Sequence, residues 1–70
     1  MRTKIKDTSK LTTGRKFYIV KGTQYKKTVH HYRVCYPTGI GYMCIDCDTN
    51  MMHMSPILKR DIIEYGYWNI

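Results

Sequence analysis

Alanine is missing from all seventy residues, glutamate occurs only at Glu64, and proline only at Pro37 and Pro56. Losing the best helix former while Tyr, Ile, Val and Thr are plentiful tilts the chain towards strands. Five acids in total, none spaced to face a partner base, argue against paired-carboxylate chemistry, and no nucleophile sits beside a positioned base. No G-x-G-x-x-G loop is present, since the GIG at Gly39–Gly41 reads as a turn. The expectation is therefore a protein that is not an enzyme. No apolar run of 18 residues exists, which excludes a membrane-spanning helix. The polar stretch Met1–Lys10 carries no secretory signal. With three cysteines, an odd number, the expected setting is the reducing cytoplasm with free thiols.

What is there is small and basic. Seventy residues make one domain, and a chain this short buries only roughly 60–65% of its unfolded surface. Such cores commonly lean on a metal, on oligomerisation or on a partner. A hydrophobic content of 43% is ordinary for a folded domain. The abundance of Lys, Ile, Tyr and Met suits AT-rich coding, such as a phage or mobile-element gene. The net charge of +7 is unevenly spread. Residues 1–33 hold ten Lys and Arg against Asp7, net +9, and residues 34–70 hold two against four acids, net −2. A basic half on a small domain is the footprint of a polyanion binder or of a module for an acidic protein surface.

The chain centres on Thr28–Asp48, which holds all three cysteines, two histidines and three tyrosines. Residues 1–14 read as a basic N-terminal arm or edge strand, and residues 15–70 as a single small β domain. Arg15–Lys21 alternates, with Phe17 and Ile19 on one face and Lys16, Tyr18 and Val20 on the other. Thr28–Tyr36 sets His30, Tyr32, Val34 and Tyr36 against Val29, His31, Arg33 and Cys35. Pro37-Thr38-Gly39 is a turn with Pro at its first central position. Gly41–Asp48 sets Met43, Ile45 and Cys47 against Tyr42, Cys44 and Asp46. Asp48-Thr49-Asn50 is a second turn, followed by a short strand over 51–54. Ser55 is placed as the cap and Pro56 as the first residue of a helical turn over 56–61. A closing strand follows over 62–68, bent at Gly66.

Three strands, a short fourth, one helical turn and a closing strand resemble a small SH3-like barrel in architecture. The expected fold is mainly β, either that five-stranded barrel or a curled antiparallel sheet with one short helical turn before the last strand.

Four constellations carry candidate chemistry. Cys35, Cys44, Cys47 and His53 form a three-thiolate, one-imidazole set of the kind that closes a tetrahedral zinc site. A regular strand would put Cys44 and Cys47 on opposite faces, and the competing reading makes Cys35 and Cys47 small buried hydrophobes. The same CxxC is poorly placed for redox work, lying in a strand beside Asp46 and Asp48. His30 and His31 are adjacent on a strand and point to opposite faces. Four methionines, Met43, Met51, Met52 and Met54, either fill an irregular core or form a protein-binding or homodimer face.

The fullest constellation interleaves cations with rings: Arg15, Lys16, Tyr18, Lys21, Tyr25, Lys26, Lys27, His31 and Arg33. Cations neutralise phosphates and release counterions, while tyrosines on a sheet stack exposed bases. The expected function is a non-catalytic nucleic-acid-binding accessory protein. The alternative is a protein–protein interaction module of the phage-modulator type, anchored by the Met face and by Tyr65, Tyr67 and Trp68.

Overall fold

A computed structural model of the chain describes residues 2–69. Within them, seven strands and one helix follow in order: β1 (Arg2–Lys4), β2 (Lys16–Gly22), β3 (Lys27–Pro37), β4 (Gly41–Asp46), β5 (Met51–Met52), β6 (Ile57–Leu58), α1 (Lys59–Tyr65) and β7 (Gly66–Asn69). A 3₁₀ turn at Thr8–Lys10 lies between β1 and β2. The fold is mainly β. All pairings are antiparallel, in the order β1-β7-β2-β3-β4-β5, with β6 added to β4. The ends of that path, β1 and β5, do not pair, so the sheet stays open and does not close into a barrel. No helix among the described residues is long and apolar enough to cross a membrane.

The strand alternation sorts the two faces. Phe17 and Ile19 of β2, Tyr32 and Val34 of β3, Tyr42 and Cys44 of β4 and Trp68 of β7 form one buried cluster. Ile5, Leu11 and Ile62 close it from outside the central strands, and Ile5 and Ile62 are 1% and 0% exposed. The first fourteen residues thus supply both an edge strand and two core side chains. Their backbone is stitched down as well. Ile5 N–H donates to the Gly66 carbonyl at 3.0 Å, and the Tyr42 hydroxyl donates to the Thr8 carbonyl at 3.0 Å. Further along, Thr13 Oγ1 donates to the Cys35 carbonyl at 3.1 Å.

The end of the chain differs from the sequence expectation. Pro56 does not open a helix, because Ile57 and Leu58 pair with Tyr42 and Gly41 as β6. The helix starts at Lys59, whose N–H finds the Ile40 carbonyl at 3.2 Å in place of a side-chain cap. Ile62, expected to open the closing strand, is instead the helix's buried anchor. Gly66 is not a bulge. It ends the helix and begins β7 with φ −90° and ψ 145°, a conformation open to any residue. What demands glycine there is proximity, since a Cβ would press into the Ile62 carbonyl and the Ile5 side chain. Gly66→Ala is expected to cost about 1–3 kcal/mol, the range for overpacking, read as a drop in the urea midpoint at constant slope.

The β3–β4 ladder also departs from regular alternation. Its register slips between Val34 and Tyr36, leaving Cys35 as the extra residue of a bulge. Beyond it, Tyr36 pairs with Met43 and is 49% exposed, so it leaves the face of Tyr32 and Val34 on which alternation placed it. Pro37 is the last residue of β3 rather than a turn centre. The turn is held by Thr38, whose Oγ1 accepts from the N–H groups of Ile40 and Gly41 at 3.3 and 3.0 Å.

Cysteine burial is the reverse of the expectation too: Cys44 is fully buried, Cys35 half-buried and Cys47 exposed. Burial, then the nearby Cys35 and Cys47 thiols, pushes the Cys44 thiol up from 9.0 to about 12. The folded chain therefore keeps a proton that the unfolded chain releases at lower pH. That contribution is complete below pH 9.0 and is lost as pH climbs towards about 12. Tyr32, also raised by burial and then by Asp46, adds to the same alkaline loss. Urea midpoints are expected to fall above about pH 9, and Cys44→Ala to flatten that fall.

Candidate nucleic-acid interface

The face opposite the core is built by β2, β3, β7 and β4. The helix and the 3₁₀ turn both lie on the other side, where Ile62 and the flanking Leu11 enter the core. Register then places the expected residues. Lys16 stands opposite Arg33 and Tyr18 opposite His31, so these four share one face. Tyr67 joins them, paired with Tyr18 across β2–β7. Ile45 continues the row beside Arg33 and Met52 beside Ile45. One uncovered face thus runs from a ring-and-cation zone to an apolar zone that includes Met43 and Tyr36.

Tyr18 does not offer an open ring. It is 7% exposed and lies between His31, at 5.4 Å between centroids, and Tyr67, at 5.8 Å and stacked. Tyr67 is itself covered by Lys4, whose Nζ lies 5.3 Å from the ring centre, so the half-buried His31 carries the surface that a base could meet. Sequence reasoning leaves Tyr67 out of this face, because only the β7–β2 register brings it there.

The remaining expected residues divide in two. Lys21, Tyr25, Lys26 and Lys27 sit on the β2–β3 hairpin, whose residues 21–29 are all exposed. This ribbon projects beyond the packed core, with Tyr25 89% exposed at its tip. Thr23 shapes the tip: its Oγ1 accepts from the N–H groups of Tyr25 and Lys26, both at 3.2 Å. Arg15 belongs elsewhere. Its guanidinium lies 4.4 Å from the centre of the Trp68 ring, a cation–π contact that covers the rim of the core. Lys21 similarly rests over Tyr65, at 5.4 Å.

Two acidic side chains are tied up in local structure, while Glu64 borders the face beside Lys27 and Tyr67. Asp7 caps the 3₁₀ turn, accepting from Ser9 N–H at 2.9 Å and Ser9 Oγ at 2.8 Å, which lowers its carboxyl. Asp46 Oδ1 accepts from Asp48 N–H at 2.8 Å in the β4–β5 turn. Asp61 and Glu64 are on the helix. The helix is charge-balanced, Lys59 and Arg60 against Asp61 and Glu64, so it does not offset the cations of the outer face and hairpin.

The cysteine–histidine set does not assemble. Among the described residues, no three His, Cys, Asp or Glu side chains group as a metal site. Cys44 is committed to the core and Cys47 to the exposed turn beyond β4. His53 is held by its own contacts, with Nδ1–H donating to the Ser55 carbonyl at 2.8 Å and its ring edge-on to Tyr32 at 5.6 Å.

Comparison of the chain with protein-family models, with curated proteins and with solved structures finds no match in any of the three.

Proposed function

We propose that the chain is a non-catalytic, cytoplasmic nucleic-acid-binding protein that uses its outer sheet face and the β2–β3 hairpin. One observation carries this reading: the β2–β3 register puts Lys16, Tyr18, His31 and Arg33 on one face that runs out to the exposed, lysine-bearing hairpin. Lysines and arginine meet phosphates, while Tyr25 and His31 offer ring surface to unpaired bases. An open sheet presents a broader platform for a strand than a closed barrel of the same length.

The test is fluorescence anisotropy with single- and double-stranded oligonucleotides at about 50 and about 200 mM salt. Four phosphate contacts, from Lys16, Lys26, Lys27 and Arg33, predict a loss of affinity across that range of about 150-fold on a duplex and about 50-fold on a single strand. Tighter binding of single strands is expected if the rings contribute. No binding at the lower salt overturns the reading.

A second reading has its own observation. Tyr36, Met43, Ile45 and Met52 place an apolar zone directly beside the cations, and Tyr36 and Met52 are 49% and 45% exposed. That combination suits an acidic protein partner with an apolar anchor, or a second copy of this chain, and Met side chains adapt to such surfaces.

A further inference from the structure

The core side of the sheet holds a cavity that neither reading uses. Strands β2 and β3 provide its floor through Ile19, Lys21, His30 and Tyr32, and the 53–58 connection and the start of α1 roof it over. Its volume, about 410 Å³, falls within the roughly 300–1,000 Å³ of small-molecule sites. Because side chains alternate along a strand, Lys21, His30 and Tyr32 lie across the sheet from Tyr18, His31 and Arg33. The two surfaces are separated by the thickness of the backbone.

One wall of the cavity is fixed before any ligand arrives. Tyr32, 6% exposed, has His30 stacked at 6.3 Å and His53 edge-on at 5.6 Å. His53 is pinned twice more, by its N–H to the Cys44 carbonyl at 2.9 Å and by its ring to Ser55. Tyr32 backs this wall without offering an open ring, and the half-buried imidazoles of His30 and His53, faced by Ile57 and Pro56, suit a flat aromatic ligand. The polar groups are unequal. Lys21 favours an anion, while Asp61, on the helix side, accepts hydrogen bonds, and His53, its Nδ1–H given to Ser55, presents Nε2 as a further acceptor in its neutral form. The occupant must then combine a flat ring bearing N–H donors with a negative group. A bare anion would leave the apolar wall and Asp61 unmatched, and an apolar ligand would leave Lys21 unmatched.

We infer that this cavity binds a nucleoside monophosphate or a close chemical equivalent, its base against His30 and His53 with N–H groups towards Asp61, and its phosphate towards Lys21. The site is independent of the outer-face reading.

The experiment is an NMR titration of the full chain with GMP, with AMP and with inorganic phosphate, each up to about 10 mM. The expected result is saturable shifts with a nucleotide at amides 30–32 and 53–58, with inorganic phosphate at least about 10-fold weaker. Lys21→Gln and Asp61→Asn, both surface-reaching changes that leave the packed core alone, are each expected to weaken nucleotide binding about 10-fold. Equal affinity for inorganic phosphate overturns ring recognition. Shifts confined to Lys16, His31 and Arg33, or no shifts at all, overturn the site. A parallel competition separates the two readings: saturating nucleotide should leave a bound oligonucleotide in place, and displacement shows that both use the outer face.

Discussion

Deleting residues 1–13 is expected to abolish cooperative folding. Ile5 and Leu11 are 1% and 5% exposed, and each contributes about 1.5–3 kcal/mol of apolar burial. A domain of this length has about 4–10 kcal/mol of stability in all. The deletion also strips β1 from β7 and uncovers Gly66 and Trp68, the two positions that Ile5 and β1 adjoin. The measurement is a thermal melt followed by circular dichroism. The full chain should melt cooperatively, while the deleted chain should show no transition and weak tertiary signal. A milder variant grades the effect: Ile5→Ala is expected to cost about 2–5 kcal/mol, from the transfer energy of the removed atoms plus the cavity left against Ile62 and Trp68. A deleted chain that melts at the temperature of the intact one would make the segment a dispensable arm.

That prediction turns on a contact the sequence hides. The pattern MRTKIKDTSKL shows two isolated apolar residues among cations, which locally looks like a solvated tail. Ile5 is buried because β1 meets β7, more than sixty residues away, and no local pattern encodes such a pairing. Where structure is local, the residues announce it. The alternation in RKFYIVK and TVHHYRVCY locates β2 and β3 within a residue or two, and Tyr42 and Cys44 share a face as alternation requires. The helix is displaced from its expected place for the opposite reason. Ser55-Pro56 is a strong local start signal, but pairing of β6 with β4 keeps Ile57 and Leu58 extended, and the Ile40 carbonyl then serves Lys59. The i, i+3 spacing of Ile62 and Tyr65 is the available clue, since both turn towards the core. The bulge at Cys35 carries no glycine to mark it. The candidate face is half visible: each strand shows which residues share a side, but only register can join Lys16 to Arg33 and add Tyr67. The cavity is wholly hidden, because His30 and His53 meet through Tyr32 alone.

The double change Lys26→Glu/Lys27→Glu is expected to weaken oligonucleotide binding more at low salt than at high salt, and that difference identifies the mechanism. Both lysines are exposed on the hairpin, which lies beyond the packed core, so the melting temperature should hardly move. On a duplex, removing one lysine–phosphate pair takes about 0.9 from the slope of log affinity against log salt. If affinity extrapolated to about 1 M salt is unchanged, removing two such pairs weakens binding about 200-fold at about 50 mM and about 20-fold at about 200 mM. The slope itself should become shallower by about 2. Tyr25→Ala, at the hairpin tip beside Lys26, should act differently, weakening single-strand binding by about 1–3 kcal/mol at either salt with the slope intact. Anisotropy titrations of the three proteins at four salt concentrations separate the terms. A uniform loss at every salt would mean that the lysines shape the hairpin instead of meeting phosphates. An unchanged affinity would remove the hairpin from the interface and leave the Lys16–Arg33 face to bind alone. A salt-insensitive interaction in the unaltered protein would shift the assignment to the apolar zone around Met43, Ile45 and Met52, and with it to a protein partner.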